Sequence, residues 1–68
     1  NIEAEQSIIG SILLSNEIFD EISLIISSKN FYDPMHQKIF NAIESLIYKG
    51  MLANPITLTS IKHVVYLS

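Results

Sequence analysis

The chain has 68 residues, of which 49% are hydrophobic and 16% charged, and its net charge is −3. This composition is too apolar for a disordered tail, and the length allows one domain at most. The four basic residues are all lysines and are scattered singly, which disfavours a nucleic-acid surface, because such surfaces depend on clustered Lys and Arg. The absence of cysteine excludes disulfides and thiolate metal sites.

Two further expectations follow from the ends and the apolar runs of the sequence. Every apolar run is far shorter than the roughly 20 residues that a bilayer requires, and no basic region precedes one of them. The sequence therefore predicts no membrane span and no signal peptide, and we expect a cytoplasmic location. Because the chain starts at Asn1 rather than at a methionine, we expect a piece of a longer protein or a chain with disordered ends.

The first predicted element is an amphipathic helix over residues 1–14. Glu3 and Glu5 in its opening turn suit the positive end of the helix dipole. Gly10 costs about 1 kcal/mol relative to alanine inside a helix, which predicts that a neighbouring helix crosses closely there. The apolar face has helical spacing and consists of Ala4, Ile8, Ile9, Ile12 and Leu13.

A second helix is predicted at about residues 17–26, after Ser15 and Asn16, either of which can cap it. Its acidic side would support acid–base chemistry only if burial or a partner separated the pKa values of the carboxylates. Nothing in the sequence indicates burial, so these residues are interpreted as a solvated face. The acidic residues are Glu17, Asp20 and Glu21. The apolar face consists of Ile18, Phe19, Ile22, Ile25 and Ile26.

Residues 27–30 are predicted as a polar linker with room for one helical turn. The aromatic pair that follows, Phe31 and Tyr32, is predicted to pack onto the core. Asp33 can cap the free N–H groups of a helix, and Pro34 suits a first helical position, where no N–H is needed.

The third helix is predicted at residues 34–49. Lys49 suits the negative end of the helix dipole, and Gly50 is placed as the left-handed residue beyond it. The predicted buried stripe consists of Met35, Ile39, Phe40, Ile43, Leu46 and Ile47.

Residues 51–55 are predicted as a connector, because Pro55 argues against helix at the residue before it. Thr57 can cap a fourth helix, while the β-branched and aromatic run at 64–66 would equally suit a strand. Helix is the prediction, from the spacing of Leu58, Ile61 and Val65. The fold class is therefore all-α, a small irregular or orthogonal bundle of about four helices.

The sequence carries no recognisable catalytic motif. Its two glycines, Gly10 and Gly50, cannot form a GxxxxGK[ST] phosphate loop, so an ATPase site is absent from this segment. His36 and His63 have no other His or Cys at ligand spacing, and His36 is interpreted as a helix-surface or boundary residue. No Ser–His–Asp pattern stands out, although triads form in space rather than in sequence. We predict no catalytic, cofactor-binding or metal residues and no enzymatic activity for this segment.

Two sequence blocks together resemble the N-terminal domain of the bacterial DnaB-type replicative DNA helicase. Residues 3–14, EAEQSIIGSILL, are similar to the family pattern EAEQSVLGxxLL. Residues 30–40, NFYDPMHQKIF, are similar to the pattern DFYxxxHxxIF. The chain departs from the family at Ser11, where a second glycine is frequent, and near Asn30, where an acidic residue is frequent. The resemblance extends to about residue 58, and residues 59–68 match no family pattern.

The resemblance implies that residues 1–68 are a partial N-terminal collar domain, whose further helices, linker and RecA-like motor domain are absent from this chain. In the family, six such domains form a collar on a hexameric ring, often as a trimer of dimers, and the collar docks primase. A helicase loader is a further implied partner. The implied motor uses ATP and Mg²⁺ to unwind DNA at the replication fork, and single-stranded DNA meets the motor rather than this segment.

The resemblance implies a non-catalytic oligomerisation and primase-docking domain. The composition fits a role in protein contacts, since it combines abundant apolar residues with little positive charge. The alternative is an unrelated small helical adaptor that binds an amphipathic peptide in a groove. A small enzyme is a third hypothesis. Candidates for an exposed apolar surface are Met51, Leu52 and the ends of the first two helices, all of which would equally suit a core.

Overall fold

The computed structural model describes residues 1–58, which contain helices and no strand. The three α-helices are α1 (Ile2–Leu14), α2 (Phe19–Ser23) and α3 (Pro34–Tyr48). Two short 3-10 helices, at Asn16–Ile18 and Ser28–Asn30, precede α2 and α3, and residues 55–58 are helical again. The predicted all-α class is confirmed.

One apolar core joins the three α-helices and the segment that follows α3. The ring of Phe40 in α3 contacts two other phenylalanine rings, with its centroid 5.4 Å from that of Phe19 and 5.2 Å from that of Phe31. Such tilted aromatic pairs stabilise a fold by about 0.5–1.5 kcal/mol each beyond the area that they bury. The buried apolar side chains are Ile9, Ile12, Phe19, Phe31, Phe40, Ile43, Leu46 and Ala53.

The apolar face of α1 agrees with its prediction except at the first position. Ile9 and Ile12 are buried, and Ile8 and Leu13 pack against the core in half-buried positions. Ala4 is exposed, and the position next to it, Glu5, is buried instead. Glu5 does lie in the first turn, as predicted, but its carboxylate points into the structure rather than into solvent.

The second helix is shorter than predicted. The α-helical part ends at Ser23, and the predicted core residue Ile25 is 82% exposed. The Ser23 hydroxyl donates to the carbonyl oxygen of Asp20 at 3.1 Å, the kind of local bond that competes with helix propagation. Ser15 precedes the 3-10 turn without a side-chain capping bond. With only Phe19 fully buried, little packing energy is available to extend the helix.

The aromatic pair divides between core and solvent. Phe31 is buried as predicted, but Tyr32 is 82% exposed, so its predicted packing onto the core is wrong. The backbone at Phe31 is extended, with φ −79° and ψ 136°. Because successive side chains in extended backbone point to opposite sides, only one of the two rings reaches the core. The helical turn allowed for in the preceding linker is present at Ser28–Asn30.

The predicted start of α3 is confirmed. The Asp33 side chain accepts a hydrogen bond from the Met35 N–H at 2.8 Å, and Pro34 occupies the first helical position. Phe40, Ile43 and Leu46 form the buried stripe. Ile39 and Ile47 are half-buried, whereas Met35 is exposed and His36 takes the core-facing position in its place.

The end of α3 is a Schellman motif. Lys49 is the C-cap, so α3 ends at Tyr48, one residue earlier than predicted. Gly50 has a φ of +76°, as predicted, and its N–H donates to the carbonyl oxygen of Ile47 at 3.0 Å. The N–H of Met51 donates to the carbonyl oxygen of Leu46 at 2.9 Å, so two carbonyl groups at the helix end are satisfied.

Replacement by alanine is expected to change the free energy of unfolding in opposite directions at the two glycines. A Cβ atom at Gly10 would meet nothing within 4 Å, so the predicted close helix crossing there is wrong among the described residues. Gly10→Ala is expected to raise the free energy of unfolding by about 1 kcal/mol. Gly50→Ala is expected to lower it by about 1–2 kcal/mol, because an L-residue is strained at positive φ. Urea unfolding of both variants measures these free energies, and changes of the same sign would contradict the prediction.

The last described turn has a different cap from the predicted one. The Asn54 side chain accepts hydrogen bonds from the N–H groups of Ile56 and Thr57, both at 2.9 Å. The Thr57 hydroxyl in turn accepts from the Asn54 N–H at 2.9 Å, which completes a capping box one turn earlier than predicted. Leu58 packs against the core. The rest of the predicted fourth helix, with Ile61 and Val65, and the strand alternative lie outside the described residues.

Candidate functional site

A buried carboxylate joins the start of α1 to the start of α3. Glu5 Oε2 accepts a hydrogen bond from the Tyr32 N–H at 2.7 Å, and Oε1 accepts from the Asp33 N–H at 3.3 Å. His36 Nδ1 lies 2.8 Å from Glu5 Oε1, and both side chains are only 10% exposed. We refer to these four residues as the Glu5 cluster.

The electrostatics of the Glu5 cluster favour the ionised carboxylate. The hydrogen bond from His36 is the main cause that holds the pKa of Glu5 below its ordinary value, and the Tyr32 N–H acts in the same direction. Burial raises the pKa but does not outweigh these bonds. An ionised carboxylate accepts from Nδ1–H of either the neutral or the protonated imidazole, so the pair can form in both states of His36.

The buried position of His36 corrects its interpretation as a helix-surface or boundary residue. It lies one turn before Phe40 on the buried stripe of α3, and its ring stands edge-on to Phe31 with centroids 6.4 Å apart. Next to it, the Gln37 side chain donates to the carbonyl oxygen of Phe31 at 2.6 Å. These contacts fix the aromatic turn at residues 31–33. His63, the second histidine, lies outside the described residues.

A second polar cluster lies at the other end of α1. The Asn16 side-chain amide donates to the carbonyl oxygens of Ile12 at 2.8 Å and Ala53 at 3.0 Å. Asn16 Oδ1 accepts from the Ala53 N–H at 2.7 Å. We refer to these three residues as the Asn16 cluster. The sequence analysis allowed Asn16 as a cap of the second helix. Its side chain instead joins the end of α1 to the connector after α3.

Together the two clusters fix how α1 lies against α3. The Glu5 cluster joins the two helix starts, and the Asn16 cluster joins the residues that follow the two helix ends. The two clusters therefore hold α1 against the start of α3 and against the connector that follows α3, and Ile12 and Ile43 are fully buried.

Comparison with known proteins decides what kind of domain this is. Residues 1–63 match the family model described as the DnaB-like helicase N terminal domain. The chain belongs to this family. The resemblance carried by the EAEQSIIGSILL and NFYDPMHQKIF blocks is thereby confirmed, and the alternative of an unrelated adaptor is wrong.

Curated relatives of this DnaB-like domain carry the name replicative DNA helicase DnaB. The one from Rickettsia felis is 48% identical over 60 residues, which cover 88% of this chain and 12% of the relative. The one from Buchnera aphidicola subsp. Baizongia pistaciae is 44% identical over 59 residues, covering 87% and 13%. The one from Mycobacterium leprae is 33% identical over 60 residues, covering 88% and 10%. No solved structure matches the chain.

The surface of the DnaB-like domain carries many exposed apolar side chains. The candidates Met51 and Leu52 are exposed, as are Leu14 at the end of α1 and Leu24 and Ile25 after α2. The acidic residues of the predicted solvated face are also exposed, in agreement with their interpretation: Glu17, Asp20 and Glu21. Within residues 1–58, no three His, Cys, Asp or Glu side chains are grouped to hold a metal ion. No helix in that range is long and apolar enough to cross a membrane.

Sequence reasoning missed the pairing of Glu5 with His36, although a signal for it exists. Glu5 lies one turn before Ile9 on the buried face of α1, and His36 occupies the matching place before Phe40 on α3. An acid and an imidazole on two apolar stripes each need a hydrogen-bond partner when buried. The pattern therefore indicates a hydrogen bond between Glu5 and His36. No comparable signal marks Asn16, whose partners are backbone groups.

The Glu5 cluster predicts an acid dependence of stability. The pKa of Glu5 in the folded domain lies below its ordinary value of 4.5. The unfolded chain therefore binds the proton more readily, and the stabilisation is complete above that value and is lost as pH falls through the folded pKa. Glu5→Gln removes this titration, so its free energy of unfolding is expected to fall less steeply in acid than that of the parent chain.

Urea unfolding at a series of acidic pH values measures how steeply the free energy of unfolding falls with pH in the parent chain and in Glu5→Gln. Glu3→Gln, an exposed glutamate of the same helical turn, is the matched control and should keep the parent slope. Parallel pH profiles for Glu5→Gln and the parent chain would show that Glu5 does not contribute in this way.

Proposed function

We propose that this chain is a non-catalytic collar domain of a replicative DNA helicase, which assembles with copies of itself and docks primase. The observation that carries the proposal is family membership over residues 1–63. In this proposal the parent protein is a hexamer whose motor domain, outside this chain, uses ATP and Mg²⁺ to unwind DNA. The domain serves as a rigid protein-binding platform, and a helicase loader is a further partner.

The described surface supports a role in protein contacts. Exposed apolar side chains occur at the end of α1 (Leu14), after α2 (Leu24 and Ile25) and in the connector (Met51 and Leu52). Burying apolar area in an assembly contributes roughly 25 cal/mol per Å², reduced by the cost of ordering the partners. The net charge of −3 and the single, scattered lysines favour a protein partner over nucleic acid.

Sedimentation velocity of this chain, alone and with a primase C-terminal domain, tests the proposal. We expect self-association, a complex with primase, or both, and no ATP hydrolysis. Two surface variants locate the contact: Leu24→Ser with Ile25→Ser, and Met51→Ser with Leu52→Ser. At least one should weaken assembly by about tenfold or more, which corresponds to about 1.4 kcal/mol.

Neutralisation of the acidic face, by Glu17→Gln with Asp20→Asn, is the matched control for a general surface effect. It should leave apolar assembly within a few-fold of the parent value. A strictly monomeric chain that binds no primase would overturn the docking role for this segment. Assembly that neither apolar variant weakens would overturn the assignment of the contact to these surfaces.

A further inference from the structure

The two polar clusters that hold α1 in place differ in one chemical respect. The Glu5 cluster depends on an ionisable carboxylate and an imidazole. The Asn16 cluster consists of a side-chain amide and backbone N–H and C=O groups, none of which titrates in the ordinary pH range. A fall in pH therefore acts on one end of α1 and leaves the polar contacts at the other end unchanged.

We propose that the Glu5 cluster is a pH-sensitive latch: protonation of Glu5 releases the backbone N–H groups of Tyr32 and Asp33 from the start of α1, while the apolar core, which includes Phe31, stays packed. The latch uses contacts within one chain and is independent of the proposed docking role.

The geometry makes the latch depend on charge. Three donors converge on one carboxylate: two backbone N–H groups and the imidazole of His36. Hydrogen bonds to an ionised acceptor are roughly twice as strong as neutral ones. A protonated carboxyl group loses the charge, and one of its two oxygens becomes a donor, so its acceptor capacity falls and it holds the same three donors more weakly. The buried donors then gain by opening to water.

The other charged groups around Glu5 leave the carboxylate as the deciding group. From α3, His36 faces it directly at 2.8 Å. From the turn, Asp33 offers its backbone N–H, while its own carboxylate is engaged with the Met35 N–H at 2.8 Å. On α1 itself, the amino group of Asn1 interacts with Glu5 through its charge. No second carboxylate among these contacts can take over the three donors.

The rest of the fold supports a local rather than a global opening. Phe40, Ile43 and Leu46 are fully or almost fully buried, and they lie one or more turns further along α3 than His36. The Asn16 cluster and the Schellman motif hold the opposite end of the pair of helices. Proteins open in such cooperative parts when one region loses its contacts and another keeps them.

Amide NMR of the unmodified chain as a function of pH tests the latch within one molecule. The Tyr32 N–H reports on the Glu5 cluster, and the Ala53 N–H, bonded to Asn16 Oδ1, is the internal reference. On acidification we expect the Tyr32 amide proton to shift upfield and its hydrogen-exchange protection to fall by about tenfold or more relative to that of Ala53. The amide protons of the α3 core should keep their protection over the same range.

Two variants identify the titrating group. Glu5→Gln should abolish the pH-dependent shift of the Tyr32 amide proton, and Glu3→Gln should leave it in place. Simultaneous loss of protection at Tyr32 and Ala53 would overturn the latch, because it would show global unfolding. A Tyr32 amide that does not respond to pH would also overturn it. The titration of the unmodified chain decides between these outcomes even if Glu5→Gln does not fold.

Discussion

Phe40→Ala is expected to lower the free energy of unfolding by about 3–5 kcal/mol, the usual cost of removing a buried phenylalanine ring. Phe40 is 1% exposed, and its ring packs against the rings of Phe19 and Phe31. These partners come from α2 and from the aromatic turn, so a single substitution removes the contact that joins three segments. A domain of this length has a total stability of about 3–10 kcal/mol, so the variant should be largely unfolded or close to it.

Urea unfolding followed by far-ultraviolet circular dichroism measures the loss. Phe40→Leu keeps an apolar side chain in the same place and should cost a smaller amount, about 1–2 kcal/mol, which keeps the test quantitative if the alanine variant does not fold. Tyr48→Ala removes an aromatic ring from the same helix where it is 79% exposed, and should change stability by about 0.5 kcal/mol or less. Equal losses for Phe40→Ala and Tyr48→Ala would contradict the central place of Phe40.

Asn16→Ala is expected to cost about 1–3 kcal/mol, because it leaves partly buried backbone groups without partners. The amide of Asn16 serves the Ala53 N–H and the carbonyl oxygens of Ile12 and Ala53. Alanine supplies neither the donor nor the acceptor. Its higher helix propensity does not compensate, because Asn16 lies in a short 3-10 turn rather than in α1.

Asn16→Asp tests the side-chain N–H donor of Asn16 separately from its Oδ1 acceptor. The aspartate can still accept from the Ala53 N–H, but it places an ionised oxygen against two carbonyl oxygens, so we expect a loss at least as large as for alanine. Asn41→Ala, at an exposed position within α3, is the matched control and should be neutral or slightly stabilising. Near-neutral results for both Asn16 variants in urea unfolding would show that the connector at Ala53 is held by other contacts.

The sequence alone determined the features whose causes are local. Helical spacing located α1 and α3, because the apolar period is a property of neighbouring residues. Asp33, Pro34 and Gly50 marked the ends of α3 correctly, since a cap acts within one or two turns of its own position. The two family blocks identified the domain, and the match over residues 1–63 confirmed it.

Tertiary structure decided the features whose causes are distant in the chain. Glu5 meets residues 27 to 31 positions away, and Asn16 meets Ala53, 37 positions away. Spacing within one helix does not state which polar side chain will find a partner on another element, so the sequence predicts Glu5 as a residue at the helix dipole and His36 as a helix-surface or boundary residue. The extended backbone at Phe31 allows only one of the two adjacent aromatic rings to face the core, and the tertiary contact with Phe40 decides that Phe31 is buried and Tyr32 exposed.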